Sequence, residues 1–279
     1  MNVSNRTPSV FCAVSHGLYK PWLDILYSGQ VPTWLSNKSL RDFSVHHFHG
    51  LPGNTIVTKI DKMHEKIRWS NRWVAAPLRI LDNILSFPVQ NYIPSQEVSK
   101  NLIMKQSVIQ INFIDTYVTM KWKDLAIFDY FIRKSEDSYL FMTTTSSYIR
   151  PIKLQEIISH LPISGVYAGA LSYPGAKFAS GNNRLFSRDV ILEILSLRKN
   201  LESGLIHDMA LGNLCSKIGL TQIELPKRDI LSMEELYSLS EKDLISNFHF
   251  RLKSGTLEDR NDVAIMNELH RRVRVIDDV

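Results

Sequence analysis

The chain has 279 residues, 44% of them hydrophobic and 22% charged, which suits one large α/β core and excludes a disordered or low-complexity chain. The net charge is +5, but Lys and Arg are scattered, and no zinc-finger, helix-turn-helix or RNP-like pattern occurs, so no nucleic-acid partner is expected. Nothing approaches the ~18 uninterrupted apolar residues of a membrane span, and MNVSNRTPSVFCAVS is no signal sequence; the chain reads as cytoplasmic, with peripheral association at the inner face of the membrane allowed by its charge.

Ser9 to Ser15 (SVFCAVS) is short, β-branched and aromatic, and reads as a buried first strand ahead of Gly17. Its Cys12, like Cys215 further on, sits in an apolar setting and reads as a buried, reduced thiol. A second strand spans Phe43 to Phe48, before the turn segment Gly50-Leu51-Pro52-Gly53. The run His46 to Gly50 places His47 and His49 on one strand face. Two histidines with no carboxylate in register are a poor metal site, so no metal is assigned to them. Asp61 to Phe87 carries helical patterning, divided near Pro77. Val108 to Ile114 is a strand ending at Asp115. The tryptophans Trp22, Trp34, Trp69 and Trp73 read as core residues first and sugar-stacking residues second.

From Lys123 the segment DLAIFDYFIRKS is a helix packed through Leu125, Phe128, Phe131 and Ile132, and YLFMTTT is the next strand. Pro151, at a first-turn position, opens the helix PIKLQEIISHL. GVYAGALSYP and KFASG read as short strands, and Gly181, Asn182 and Asn183 as a turn after them. Ser187 caps a helix from Arg188 to Leu197, and Asp208 caps MALGNLCSKI, which stops at Gly219. In FHFRLKSG, strand alternation puts His249, Arg251 and Lys253 on one face and Phe248, Phe250 and Leu252 on the other. Strands alternating with helices predict a mostly parallel, Rossmann-like α/β sheet flanked by helices, its ligands at the carboxyl ends of the strands. One domain over residues 1–255 is expected, then a charged helical tail over 256–279.

Several segments fall in a recognisable order. Asp115, Tyr117 and Lys123 form an Asp-x-Tyr with a following Lys; then come TTTSSYIRP, the Tyr-Ala-Gly at Tyr167 to Gly169, ASGNNRLFSRD, and HDMALG. Over roughly residues 105–220 this order resembles the β-1,3-galactosyltransferase-like branch of the GT-A glycosyltransferases, and VSHGLYKPW near the N-terminus resembles the nucleotide-binding start of bacterial relatives. The resemblance implies a GT-A fold, a nucleotide-sugar donor and a sugar acceptor.

It also assigns roles. Ser15 and Lys123 would lie at the donor. Where the family carries metal-holding aspartates, this chain has Thr143, Thr144, Thr145, Ser146 and Ser147; these are either a strand end rich in β-branched residues or hydroxyls that bond the donor. Without carboxylates for Mn2+ or Mg2+, no cofactor is expected, and the leaving diphosphate would rest on fixed positive groups. His249, Arg251 and Lys253 are the candidates, unless they are a solvated edge strand; Arg184 and Arg188 are further ones, with Arg188 expected to pair with a carboxylate. Asp208 matches the carboxylate that takes the acceptor proton, a role compatible with helix capping, and His207 would orient it or touch the acceptor. Gly181, Asn182 and Asn183 would border the acceptor, or be plain turn residues.

The expectation is an inverting, metal-independent hexosyltransferase that moves a sugar from a UDP-sugar to a glycan or lipid-linked glycan in surface polysaccharide synthesis, such as lipopolysaccharide or capsule. The competing expectation is a catalytically silent GT-A-like domain that binds a glycan or a partner. A nucleotidyltransferase ranks last, because no Gly-rich, basic phosphate loop follows the first strand.

Overall fold

A computed structural model describes residues 8–37, 43–51, 102–103, 106–115, 119–202, 205–255 and 259–277. The helical patterning at Asp61 to Phe87, with Trp69 and Trp73, and Tyr117 of the Asp-x-Tyr lie outside these residues.

Among the described residues the central sheet has eight strands in the order β3-β4-β2-β1-β5-β8-β7-β9. They are β1 (Val10–Ser15), β2 (Phe43–Leu51), β3 (Leu102–Ile103), β4 (Gln106–Ile114), β5 (Tyr139–Thr144), β7 (Tyr167–Leu171), β8 (Ala179–Ser187) and β9 (Ile223–Glu224). Parallel pairing joins β1 to β2 and to β5, β2 to β4, and β7 to β9; β8 runs antiparallel between β5 and β7, and β3 antiparallel to β4. A second sheet joins β6 (Ser147–Ile149), β11 (His249–Leu252) and β10 (Arg228–Ile230), in the order β10-β11-β6.

Strand β1 shows why its sequence has no polar alternation. Val10, Cys12 and Val14 face one apolar cluster, and Phe11 and Ala13 face the other. Both faces are covered, as a sheet with helices on each side requires. On the first side lie α2 (Pro151–Ser159), α7 (Asp262–Asp277) and the small sheet, through Leu154, Ile158, Ile265, Leu269, Phe250 and Leu252. On the other lie α1 (Met120–Lys134), α3 (Arg188–Ser196) and α4 (His207–Lys217), through Leu125, Phe128, Ile191 and Leu211. The short helices α5 (Met233–Ser238) and α6 (Glu241–Ser246) start with serine caps, Ser232 and Ser240. Helix α7 follows Gly255 and sends Ile265, Met266, Leu269 and Val273 into the core. Cys12 and Cys215 are free, buried thiols whose pKa burial pushes up to about 12. Among the described residues no helix is long and apolar enough to cross a membrane.

Four local expectations change. Gly50 and Leu51 continue β2. Helix α1 begins at Met120, three residues before Lys123. Ser187 does sit at the N-cap of α3, but its hydroxyl accepts from Val166 N–H at 2.9 Å rather than from the helix. Asp208 is not a cap: α4 starts at His207, the N-cap is Ile206, and the Asp208 carboxylate accepts from Met209 N–H at 3.0 Å within the first turn.

Candidate functional site

The chain lays β2 and β4 on one side of β1 and returns to place β5 on the other. This reversal makes the carboxyl ends of β1 and β5 a topological switch point, the place where doubly wound sheets bind ligands. Ser15 ends β1 and is the register partner of Thr144 at the end of β5. Both are partly exposed.

Beyond Thr144 the chain turns through Thr145 and Ser146 into β6, crossing from the large sheet to the small one. Thr145, Ser146 and Ser147 are almost fully buried. The turn is braced from below by the wide helical turn Ile25–Gln30 and the short helix Trp34–Ser36. Gln30 Nε2 donates to the carbonyls of Thr144 (3.1 Å) and Ser147 (2.9 Å), and Trp34 Nε1 to that of Ser147 (3.1 Å). Of the Thr/Ser run, then, Thr144 is the residue that offers its side chain to the switch point. Its Oγ1 accepts a hydrogen bond from Arg251 Nη1.

Arg251 lies on β11, opposite Ser147 of β6. Burial pushes its pKa down to about 10, with Arg260 adding to the shift and Asp262 and Asp229 opposing it. It therefore stays charged near neutral pH, and partial burial strengthens its field. Lys253, two residues on, is exposed. His249, two residues before, is fully buried, so the shared face grades from core to solvent instead of presenting three cations.

The proton on His249 follows from its neighbour. Asn183 Oδ1 accepts from Ala170 N–H (3.3 Å), which orients the amide so that Nδ2 donates to His249 Nδ1 (2.6 Å). Nδ1 is then unprotonated and Nε2 carries the hydrogen. Burial, with Lys227 and Arg251 adding to it, holds this imidazole well below the ordinary range. His249 is a neutral support for β8, not a cation for phosphate.

Strand β8 links this region to the start of α4. Asn182 and Asn183 are strand residues, not the expected turn, and Asn183 is fully buried. At Gly181 a β-carbon would lie 2.4 Å from His207 Nε2, so only glycine lets the imidazole close onto the strand there. Next to it Asp208 is 7% exposed. Arg184, the register partner of Met142, forms a buried bidentate pair with Asp124 of α1, at 2.7 and 2.9 Å. Burial alone would lower the Arg184 pKa; Asp124, with help from Asp208 and Tyr167, raises it instead. Among the described residues Arg188 meets no carboxylate. It donates to the carbonyls of Ile132 and Ser135 at the end of α1 (2.6 and 2.7 Å) and covers the Phe131 ring, so it caps a helix terminus.

Lys123 sits on the other flank. Its ammonium is buried and donates to Asp115 (2.6 Å) and to the His16 carbonyl (3.0 Å), tying the ends of β4 and β1 together. Asp115 also accepts from Gly50 N–H at 3.3 Å. The rings of His47 and His49 lie 6.0 and 5.3 Å from that of His16. Burial first, then the Lys123 charge, keeps His16 well below the ordinary range; burial also lowers His49. Among the described residues no group of three His, Cys, Asp or Glu side chains is placed to hold a metal ion.

The structure thus joins Ser15, Thr144 and Arg251 at the switch point, and joins Gly181 to His207 and Asn183 to His249 along β8. Lys123 is a brace beside it, and Lys253 stands free of these contacts. Sequence reading missed Asp124, which anchors Arg184, and the bracing role of Gln30 and Trp34. A scan against protein-family models gives no match, and a search of curated proteins finds no similar sequence.

Proposed function

We propose that the chain is a GT-A-type glycosyltransferase that moves a sugar from a UDP-sugar to a hydroxyl of a glycan or lipid-linked glycan, with inversion, in surface polysaccharide synthesis on the cytoplasmic side of a membrane. The observation that carries the reading is the Arg251–Thr144 hydrogen bond at the switch point. A fixed positive charge at this end of the sheet is what a departing diphosphate would need.

The donor set at the end of β5 does not fit a divalent cation. Thr144 offers one neutral hydroxyl already engaged by a guanidinium, and the following hydroxyls are buried. Arg251, with exposed Lys253, would hold the diphosphate; Ser15 and Thr144 would bond the donor by their hydroxyls. On the acceptor side Asp208 would take the proton of the attacking hydroxyl, while His207 and the backbone at Gly181 and Asn182 position it. The attacking oxygen gains the anomeric carbon as the diphosphate oxygen leaves it, a single displacement.

Hydrolysis or transfer from a panel of common UDP-sugars, with and without EDTA, tests this. UDP release that persists in EDTA and falls in Asp208→Ala supports the transferase. No turnover of any donor by the wild-type protein or by Asp208→Ala would favour a silent glycan- or partner-binding domain.

A further inference from the structure

A groove of about 770 Å3 opens between the β7–β8 connection and the segment Glu224 to Asp229. That size lies within the ~300–1,000 Å3 of ordinary ligand pockets. It adjoins the site through two of its own lining residues. Ala170 donates its N–H to Asn183, the partner of His249. Asp229 is the strand partner of Arg251.

The lining is mixed in chemistry. Tyr173 is 54% exposed at the rim, a large aromatic face turned to water. It is also held still. Ala176 N–H donates to Tyr173 O (3.0 Å), Pro174 follows Tyr173, and Gly175 has φ +83°: together a type II β-turn. The Tyr173 ring meets Phe178 edge-on, with centroids 5.8 Å apart. The lining also holds the carboxylates of Glu224, Asp229 and Glu235 and the amide of Asn247, with Lys227 paired to Asp229 at 2.9 Å and Arg228 to Glu235 at 3.5 Å. A sugar ring has an apolar C–H face for the aromatic and hydroxyls on its edge for the carboxylates and amide.

We infer that this groove is the acceptor-glycan subsite, with the preformed Tyr173 turn as its stacking platform. The assignment rests on the transferase reading and says where that enzyme's acceptor lies.

The test applies wild-type protein, Tyr173→Ala and Tyr173→Phe to a microarray of defined di- to hexasaccharides, with UDP-sugar hydrolysis measured in parallel on each. The expected result is at least one glycan bound by the wild type, bound about tenfold or more weakly by Tyr173→Ala, and still bound by Tyr173→Phe, which keeps the ring face. Donor hydrolysis by the wild type reads the transferase separately, and circular dichroism checks the folding of both variants. No glycan bound by the wild type, or equal binding by Tyr173→Ala, overturns the subsite even where donor hydrolysis upholds the transferase. Binding lost with the tyrosine in a protein that hydrolyses no donor upholds a glycan groove and overturns the transferase.

Discussion

Arg251 donates a hydrogen bond to the hydroxyl of Thr144, bridging the small sheet to the end of β5. The contact fixes a guanidinium that would otherwise sample many rotamers, so little ordering is left to pay for when an anion arrives. Arg251→Ala should lower UDP-sugar turnover about 100-fold, the usual effect of removing one preorganised donor. Arg251→Lys should recover only part of it, because a flexible ammonium lacks the rigid planar fork that holds Thr144 and a ligand oxygen in one geometry. Steady-state kinetics on both variants, with folding checked by circular dichroism, reads the effect; equal turnover in all three proteins would remove Arg251 from the site.

For Asp208 the decisive substitution is Asn, which preserves size and the first-turn contact to Met209 while removing the base. Turnover should fall by about 10² or more, with the unfolding midpoint nearly unchanged. A large loss of stability with activity per folded molecule intact would reduce Asp208 to a helix-terminal residue.

Gly181→Ala forces the His207 imidazole away, since the new carbon would lie 2.4 Å from its Nε2. The ring is the far end of a side chain, so stability should fall by about 1 kcal/mol or less. Transfer to a glycan should fall more than donor hydrolysis. Kinetics with and without acceptor separate the two; equal losses would argue that His207 does not serve the acceptor.

Much of this architecture is legible in the residues themselves, and the failures have physical causes. β1 could be read because both of its faces are apolar, and α2 because Pro151 marks its first turn. Asn182 and Asn183 misled because their turn propensity is overridden by distant partners: the Asn183 amide is satisfied by Ala170 and His249, neither predictable from local pattern. Alternation put His249, Arg251 and Lys253 on one face, yet depth along that face depends on how β11 docks against β6, so the neutral state of His249 was invisible. Arg188 found carbonyls instead of a carboxylate for the same reason: α1 happens to end beside it.

The Asp124–Arg184 pair should reveal itself in stability. Asp124→Ala leaves a buried guanidinium without its partner and should cost about 3–5 kcal/mol. Replacing both, as Asp124→Leu with Arg184→Met, should cost less than the single change. Urea denaturation of the wild type and the two variants checks the order, and a cheaper single variant would contradict it.

Acid should destabilise the fold through His46. Its ring stacks on Phe11, with centroids 4.1 Å apart, and its pKa is lowered from 6.5 to about 4, chiefly by burial, with His47 adding and Asp137 opposing. Between those values the unfolded chain binds a proton that the fold refuses, so stability is fully present above pH 6.5 and is lost as pH falls toward 4. His46→Phe should lower the slope there by up to one proton's worth, with His16, His49 and His249 supplying the remainder. Identical slopes in the two proteins would show that His46 is not the group responsible.

On the proposed reading the fixed Arg251 guanidinium takes the part that a divalent cation plays in metal-dependent transferases. Calorimetric titration of UDP into wild-type and Arg251→Ala protein, both in EDTA, tests it most directly. The account predicts binding by the wild type without any cation, and binding at least about tenfold weaker in the variant. UDP binding that appears only on adding Mn2+ or Mg2+, or that is the same in both proteins, would contradict it.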